Sequence, residues 1–249
     1  MQALERLTQF VIIFAIFLFL LLGIKYSFNV SDYVIPSFQE LLEEAKNIFR
    51  PYLFATLNTF VVAVIGHAFA TLLAIIVASL ASLKSWAGSL AKTASYNLQA
   101  YPVVAVSPII FLFFGDGLAS RIIIAGLICY FPLLLSFIGI FSVPVPEVEH
   151  FFKITGRLKR GLMLKIRTIE NLEKVVTVVV GSGTMAMVGT IVAEFLAATN
   201  GIGYSIRKAL YQSNLARIII ALFLIGLVSS CYLATLEGMG KWLKKRIIG

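Results

Sequence analysis

Residues 143–174 read VPVPEVEHFFKITGRLKRGLMLKIRTIENLEK, a charged and mainly basic stretch with a long apolar run on either side. The flanking runs, 120–141 and 175–198, each have the roughly 20 residues that a helix needs to cross a bilayer. A polar connector between two such runs lies on one face of a membrane. Its seven Lys and Arg from Lys153 to Lys174 mark that face as cytoplasmic. Working outward, further apolar runs at 8–24, 52–83, 89–114 and 215–236 complete six transmembrane helices, which predicts an all-α polytopic membrane protein.

Composition points the same way. The 249 residues are 59% apolar and only 13% charged, with a mean hydropathy of +0.95; a soluble domain carries about 25% charged residues. The alternating strands of a membrane barrel are absent from the sequence. A net charge of +9 raises nucleic acid as a partner. The basic residues sit in connectors and at helix ends, however, so the expected surroundings are membrane lipid and no nucleic acid. With both termini in the cytoplasm, 14 of the 21 Lys and Arg lie inside: Arg6, Lys84, Lys92, seven from Lys153 to Lys174, and Lys241, Lys244, Lys245 and Arg246. The run 10–22 leads into Gly23-Ile24-Lys25-Tyr26 rather than a small-residue cleavage site, so it reads as a retained helix, not a signal peptide.

Three parts follow in order. Residues 1–51 hold the first helix and an outer amphipathic segment, in which Ser37 and Glu40 form a capping box and Arg50-Pro51 ends the helix. Residues 52–241 are the transmembrane domain, and 242–249 a basic cytoplasmic tail. A turn at 84–88 joins the second and third helices. Within the membrane, Gly66, Ala68, Ala70 and Ala74 allow close helix approach, as do Gly181, Ser182, Gly183, Thr184, Ala186 and Gly189. Pro102 and Pro108 break the third helix, which suits a helix lining a passage, with a kinked structural helix as the alternative. His67 reads as a hydrogen-bonded interior histidine rather than a proton relay. Glu194 reads as a solvated helix-end charge, with a gate element as the other possibility. Cys129 and Cys231 read as buried, inert thiols.

In the connector, Pro146 suits the first turn of a helix, and Glu147 and Glu149 favour its positive end. Val148, Phe151, Phe152 and Thr155 share one face, and Gly156 can end the helix in a left-handed cap. A short helix showing two phenylalanines needs a partner surface.

Four stretches then carry a resemblance over about residues 34–241. These are Val34-Ile35-Pro36-Ser37; Tyr101-Pro102-Val103-Val104-Ala105-Val106-Ser107-Pro108 continuing to Phe113-Phe114-Gly115-Asp116-Gly117; Ala193-Glu194-Phe195-Leu196 with Gly201-Ile202-Gly203-Tyr204; and the connector itself. They resemble the inner-membrane permease subunits of bacterial ABC importers, in the branch that includes sulfonate, taurine, nitrate and thiamine-precursor permeases. That superfamily has a loop of Glu-Ala-Ala, three residues, Gly, nine residues and Ile-x-Leu-Pro. Gly156 and Ile166 keep its spacing, while His150, Phe151 and Phe152 replace Glu-Ala-Ala and Thr168-Ile169 replace Leu-Pro. The resemblance implies a permease in the bacterial inner membrane, coupled to ATP-binding cassette ATPase subunits through Glu149, His150, Phe151, Phe152, Gly156 and Ile166. It implies pathway or gate roles for Pro102, Pro108, Glu194, Gly201 and Gly203. It also implies a second permease copy or paralogue, and an extracytoplasmic substrate-binding protein docking near residues 200–211. The chain has no GxxxxGK[ST] loop, so hydrolysis falls to a partner; no cofactor and no enzymatic activity are expected. An ion-coupled secondary transporter using His67 and Glu194 is the alternative, and an idle scaffold subunit a further one. An intramembrane enzyme finds no HExxH or GxSxG spacing to support it.

Overall fold

The computed structural model describes residues 2–82, 86–156 and 160–248. Among the described residues there are ten helices and no strand. They are α1 (Gln2–Ser27), α2 (Phe38–Ala81), α3 (Trp86–Gln99), α4 (Val103–Phe114), α5 (Leu118–Ser142), α6 (Pro146–Ile154), α7 (Arg160–Glu170), α8 (Leu172–Leu196), α9 (Ile202–Tyr211) and α10 (Leu215–Ile248). Five of these, α1, α2, α5, α8 and α10, are long and apolar enough to cross a membrane.

The sixth expected crossing, 89–114, is not one helix but two, α3 and α4. Pro102 disfavours helical backbone in the residue before it, and it caps α4 in an extended conformation (φ −66°, ψ 119°). Pro108 stays inside α4. Its missing amide leaves the Val104 carbonyl without a helical donor, and the Ser107 hydroxyl donates to that carbonyl at 2.6 Å. Of the expected turn, Lys84 and Ser85 lie outside the described residues, and Trp86 already begins α3.

The break expected at Arg50-Pro51 is absent, and α2 runs through it for 44 residues. An interior proline costs about 3 kcal/mol. Here Ile48, Tyr52 and Leu53 pack against Ile220 and Leu224 of α10 on both sides of the proline, which keeps the axis continuous. Ser37 does cap this helix, accepting from the Glu40 amide at 3.3 Å. At 1.5 Å per residue α2 is about 66 Å long, twice the roughly 30 Å hydrocarbon core of a bilayer. The tail is likewise no separate piece, because α10 continues unbroken to Ile248.

The core is the junction of α2, α5 and α8. Ala63, Ala70, Ala74 and Ala78 face Cys129, Leu133 and Phe137 of α5 and Ala186 and Met187 of α8. Close approach depends on glycine here: a Cβ on Gly189 would stand 2.9 Å from the Ala125 Cα, and one on Gly66 3.0 Å from its Cβ. Ala68 faces outward instead. So does Cys231, which corrects the expectation of two buried thiols; only Cys129 is buried. On the flank, Phe10 and Phe14 of α1 pack against Phe223 of α10. Ion pairs Arg6–Glu237 and Lys244–Glu173 bring both chain ends to the start of α8, the end of the bundle that carries α6 and α7. The α9 helix follows the other end of α8.

Candidate functional site

At the α6 end, the connector folds into two helices with 157–159 outside the described residues. Pro146 is at the first helical position of α6, and Glu147 and Glu149 lie in its first turn. Gly156 follows the Thr155 cap with φ +64°, the left-handed conformation expected of it. No residue of α6 is fully buried, and Phe151 is 62% exposed. Phe152 is half-buried and meets the Phe151 ring edge-on at 5.4 Å. His150 is exposed, whereas Ile166 of α7 is buried.

Glu149 does not face outward. Its carboxylate accepts from Arg167 Nε at 2.6 Å, from Arg167 Nη2 at 3.0 Å and from the Val145 amide at 3.1 Å. The Arg167 guanidinium beside it holds its carboxyl below the usual carboxylate range. Arg167 Nη1 also donates to the Phe141 carbonyl at the end of α5.

At the α9 end, the structure corrects the reading of Glu194 as a solvated charge: the residue is 0% exposed. Its carboxylate accepts from Arg121 Nη1 of α5 at 3.1 Å, from Thr59 Oγ1 of α2 at 2.7 Å and from the Gly203 amide of α9 at 3.0 Å. Thr59 Oγ1 in turn accepts from the Ile202 amide at 2.9 Å. One carboxylate thus ties four helices, and it accepts the Gly203 amide at the α9 N-terminus, where negative charge is favoured. Gly201 makes this possible. Its φ is +96°, and a Cβ there would fall 2.2 Å from the Glu194 carboxyl carbon. Gly203 is similarly closed in, with the Ile191 carbonyl 2.4 Å from any added Cβ.

Between the two ends, His67 Nδ1 lies 2.6 Å from the Tyr232 hydroxyl and Nε2 lies 2.8 Å from Ser182 Oγ. Ser182 gives its own proton to the Val179 carbonyl at 2.9 Å. Ser182 therefore accepts from Nε2–H, and Nδ1 accepts from Tyr232. Each group has its partner with a neutral imidazole, as expected of an interior histidine. The small-residue face of α8 divides. Ser182, Gly183, Ala186 and Gly189 are buried, while Thr177, Gly181 and Thr184 open on a groove of about 770 Å³ walled by α1, α8 and α10. No group of three or more metal-ligating side chains occurs among the described residues.

Residues 70–249 match the family described as the binding-protein-dependent transport system inner membrane component. The chain belongs to that family. It is an ABC importer permease, embedded in a membrane by its apolar helices. The permease is 25% identical to the formylaminopyrimidine transport permease ThiX of Halalkalibacterium halodurans, over 86% of this chain and 88% of the relative. It is 33% identical to the riboflavin transport system permease RibX of Chloroflexus aurantiacus, over 53% of this chain and 49% of the relative. A probable ABC transporter permease of Haemophilus influenzae is 28% identical over 60% of each chain. Against the latter two, the permease thus spans about half to three-fifths of the relatives' length.

Of the residues singled out in the sequence, Glu194, Gly201 and Gly203 come together in the buried hub, and Glu149, His150, Phe151, Phe152 and Gly156 sit on or beside α6. Pro102, which caps α4, and Pro108 inside it are exposed. Sequence reading missed Thr59, Arg121 and Arg167. It counted the two arginines only as topology charges, yet they are 5% and 7% exposed.

Proposed function

We propose that the permease subunit forms the translocation pathway for a small nitrogen heterocycle and is driven by cytoplasmic ATPase subunits that grip α6. The observation that carries this reading is the Phe151–Phe152 pair, exposed and half-buried respectively, on the capped helix α6 between α5 and α7. Phe151 is 62% exposed and Phe152 only half-buried, and a groove on an ATPase would cover both rings. The substrate class is inferred from the formylaminopyrimidine and riboflavin relatives, both heterocycle permeases by name. Nitrate, sulfonate and taurine are the competing solutes.

In this reading the α6 end is cytoplasmic and carries both termini. The α9 end meets a substrate-binding protein, with Lys208, Leu210 and Tyr211 exposed for it. A second copy or a paralogue faces the groove beside Gly181 and Thr184, and movement of α6 under ATP switches the open side.

The test is purification of the tagged chain from its native membrane in mild detergent, with mass spectrometry of what accompanies it. Uptake of labelled formylaminopyrimidine, riboflavin, taurine and nitrate is measured in cells with and without the chain. A Walker-motif ATPase in the sample and loss of heterocycle uptake on deletion are the expected results. Recovery of the chain alone under crosslinking, or uptake that survives ATP depletion, overturns the proposal.

A further inference from the structure

The coupling helix has little to hold it. None of its residues is fully buried, and among the described residues no helix packs extensively against it. A three-residue link, Val143, Pro144 and Val145, joins it to α5. A helix attached so loosely would swing when pushed, and the push would go no further.

One side chain closes that gap. Arg167, 7% exposed on α7, spreads its guanidinium across the junction of α5, α6 and α7. Nε and Nη2 engage both Glu149 oxygens, and Nη1 engages the Phe141 carbonyl. Phe141 is in the last turn of α5, where carbonyls lack helical donors, so the arginine caps α5 while it pairs with the start of α6. Both placements also suit the helix dipoles, with a cation at the end of α5 and an anion at the start of α6. A lysine could not do this, because a single ammonium lacks the planar fork.

We propose that Arg167 is the positioning residue that clamps α6 to α5 and α7, so that displacement of α6 is delivered to the membrane helices rather than lost in the 143–145 link. This rests on the reading of α6 as the coupling helix. Glu149 belongs to the clamp and not to the surface an ATPase would touch, which leaves His150, Phe151 and Phe152 for that contact.

The experiment is amide hydrogen exchange on the full-length chain in lipid nanodiscs, comparing wild type with Arg167→Ala, Arg167→Lys and Glu149→Gln. Co-purified ATPase and solute uptake are measured on the same variants. The expected result is exchange across α6 accelerated about 10-fold or more in Arg167→Ala, with α2 and α5 unchanged. Arg167→Lys should fall between, and Glu149→Gln, which keeps the Arg167–Phe141 contact, should show a smaller acceleration. ATPase should remain bound while uptake falls about 10-fold. Unchanged α6 exchange in both Arg167→Ala and Glu149→Gln overturns the clamp. So does equal loss of protection in α2 and α5, which would make Arg167 a general folding residue. Absence of an ATPase from the wild-type sample overturns the coupling reading instead, and the exchange data still decide the clamp.

Discussion

Two Glu–Arg pairs sit at opposite ends of the permease, and they differ in what surrounds them. Glu194 and Arg121 are sealed by α2, α5, α8 and α9, with side chains 0% and 6% exposed. Glu149 and Arg167 stand at the edge of the bundle, 14% and 8% exposed, and one of their helices, α6, has no fully buried residue. The buried pair fixes a site: remove either charge and the other is stranded away from water. The edge pair fixes a relationship between helices that could otherwise separate. The same chemistry therefore makes an immovable hub at one end and a removable clamp at the other.

The sharpest way to break that contrast is Arg121→Ala. It leaves the Glu194 carboxylate buried without its cation, which should cost about 3–5 kcal/mol. The thermal midpoint of the detergent-solubilised chain should collapse, or the chain should not accumulate. Arg121→Met with Glu194→Gln should recover more than half of that loss, because neither member is then charged; no recovery would mean that the hub does more than balance charge. Next in size is Gly201→Ala. Its Cβ meets the Glu194 carboxyl from a positive-φ backbone, at about 1–3 kcal/mol for the strain alone, read as a drop in the same midpoint. At the edge pair, Glu149→Gln should cost less than either, about 1 kcal/mol, with the change confined to α6. Smallest for stability is Phe151→Ser with Phe152→Ser: the midpoint should move by no more than about 0.5 kcal/mol equivalent, while ATPase co-purification is lost.

pH sharpens the contrast further. The carboxyl of Glu149 is held below its ordinary range by Arg167, so the unfolded chain binds its proton more readily than the folded one. The clamp's contribution is then present above the ordinary value of about 4.3, and it is lost as pH falls through the depressed folded value. A spin label at Lys153→Cys should keep constant mobility from about pH 8 down to about pH 5 and loosen only in stronger acid. Loosening that begins at or above the ordinary carboxylate value of about 4.3 would mean that Arg167 does not lower the Glu149 carboxyl.

Long apolar runs made the membrane helices legible, because a span must be apolar over its whole length. Gly156 was legible as well, since a left-handed cap has few other residues to choose from. His67 read correctly because a lone intramembrane histidine with no second ionisable partner is best satisfied by hydroxyls, and Tyr232 and Ser182 provide them. Pro51 misled because a proline signals a break only where nothing packs on both sides of it. The ion pairs were out of reach for a different reason. Glu194 and Arg121 are 73 positions apart, and Glu149 and Arg167 are 18. No local periodicity relates them, so each arginine looked like one more topology charge.

The divided α3–α4 crossing has a consequence for how the chain enters the membrane. The α4 helix has 12 residues, about 18 Å of rise, and buries only Ser107 and Ile110. Too short to be accepted by the insertion machinery unaided, it finds its partner in the segment synthesised next, where Ile110 meets Ile124. The pair should therefore enter as a hairpin, α4 waiting at the translocon until α5 emerges. A ribosome stalled between them should leave α4 extractable by alkali, and release of about thirty further residues should secure it.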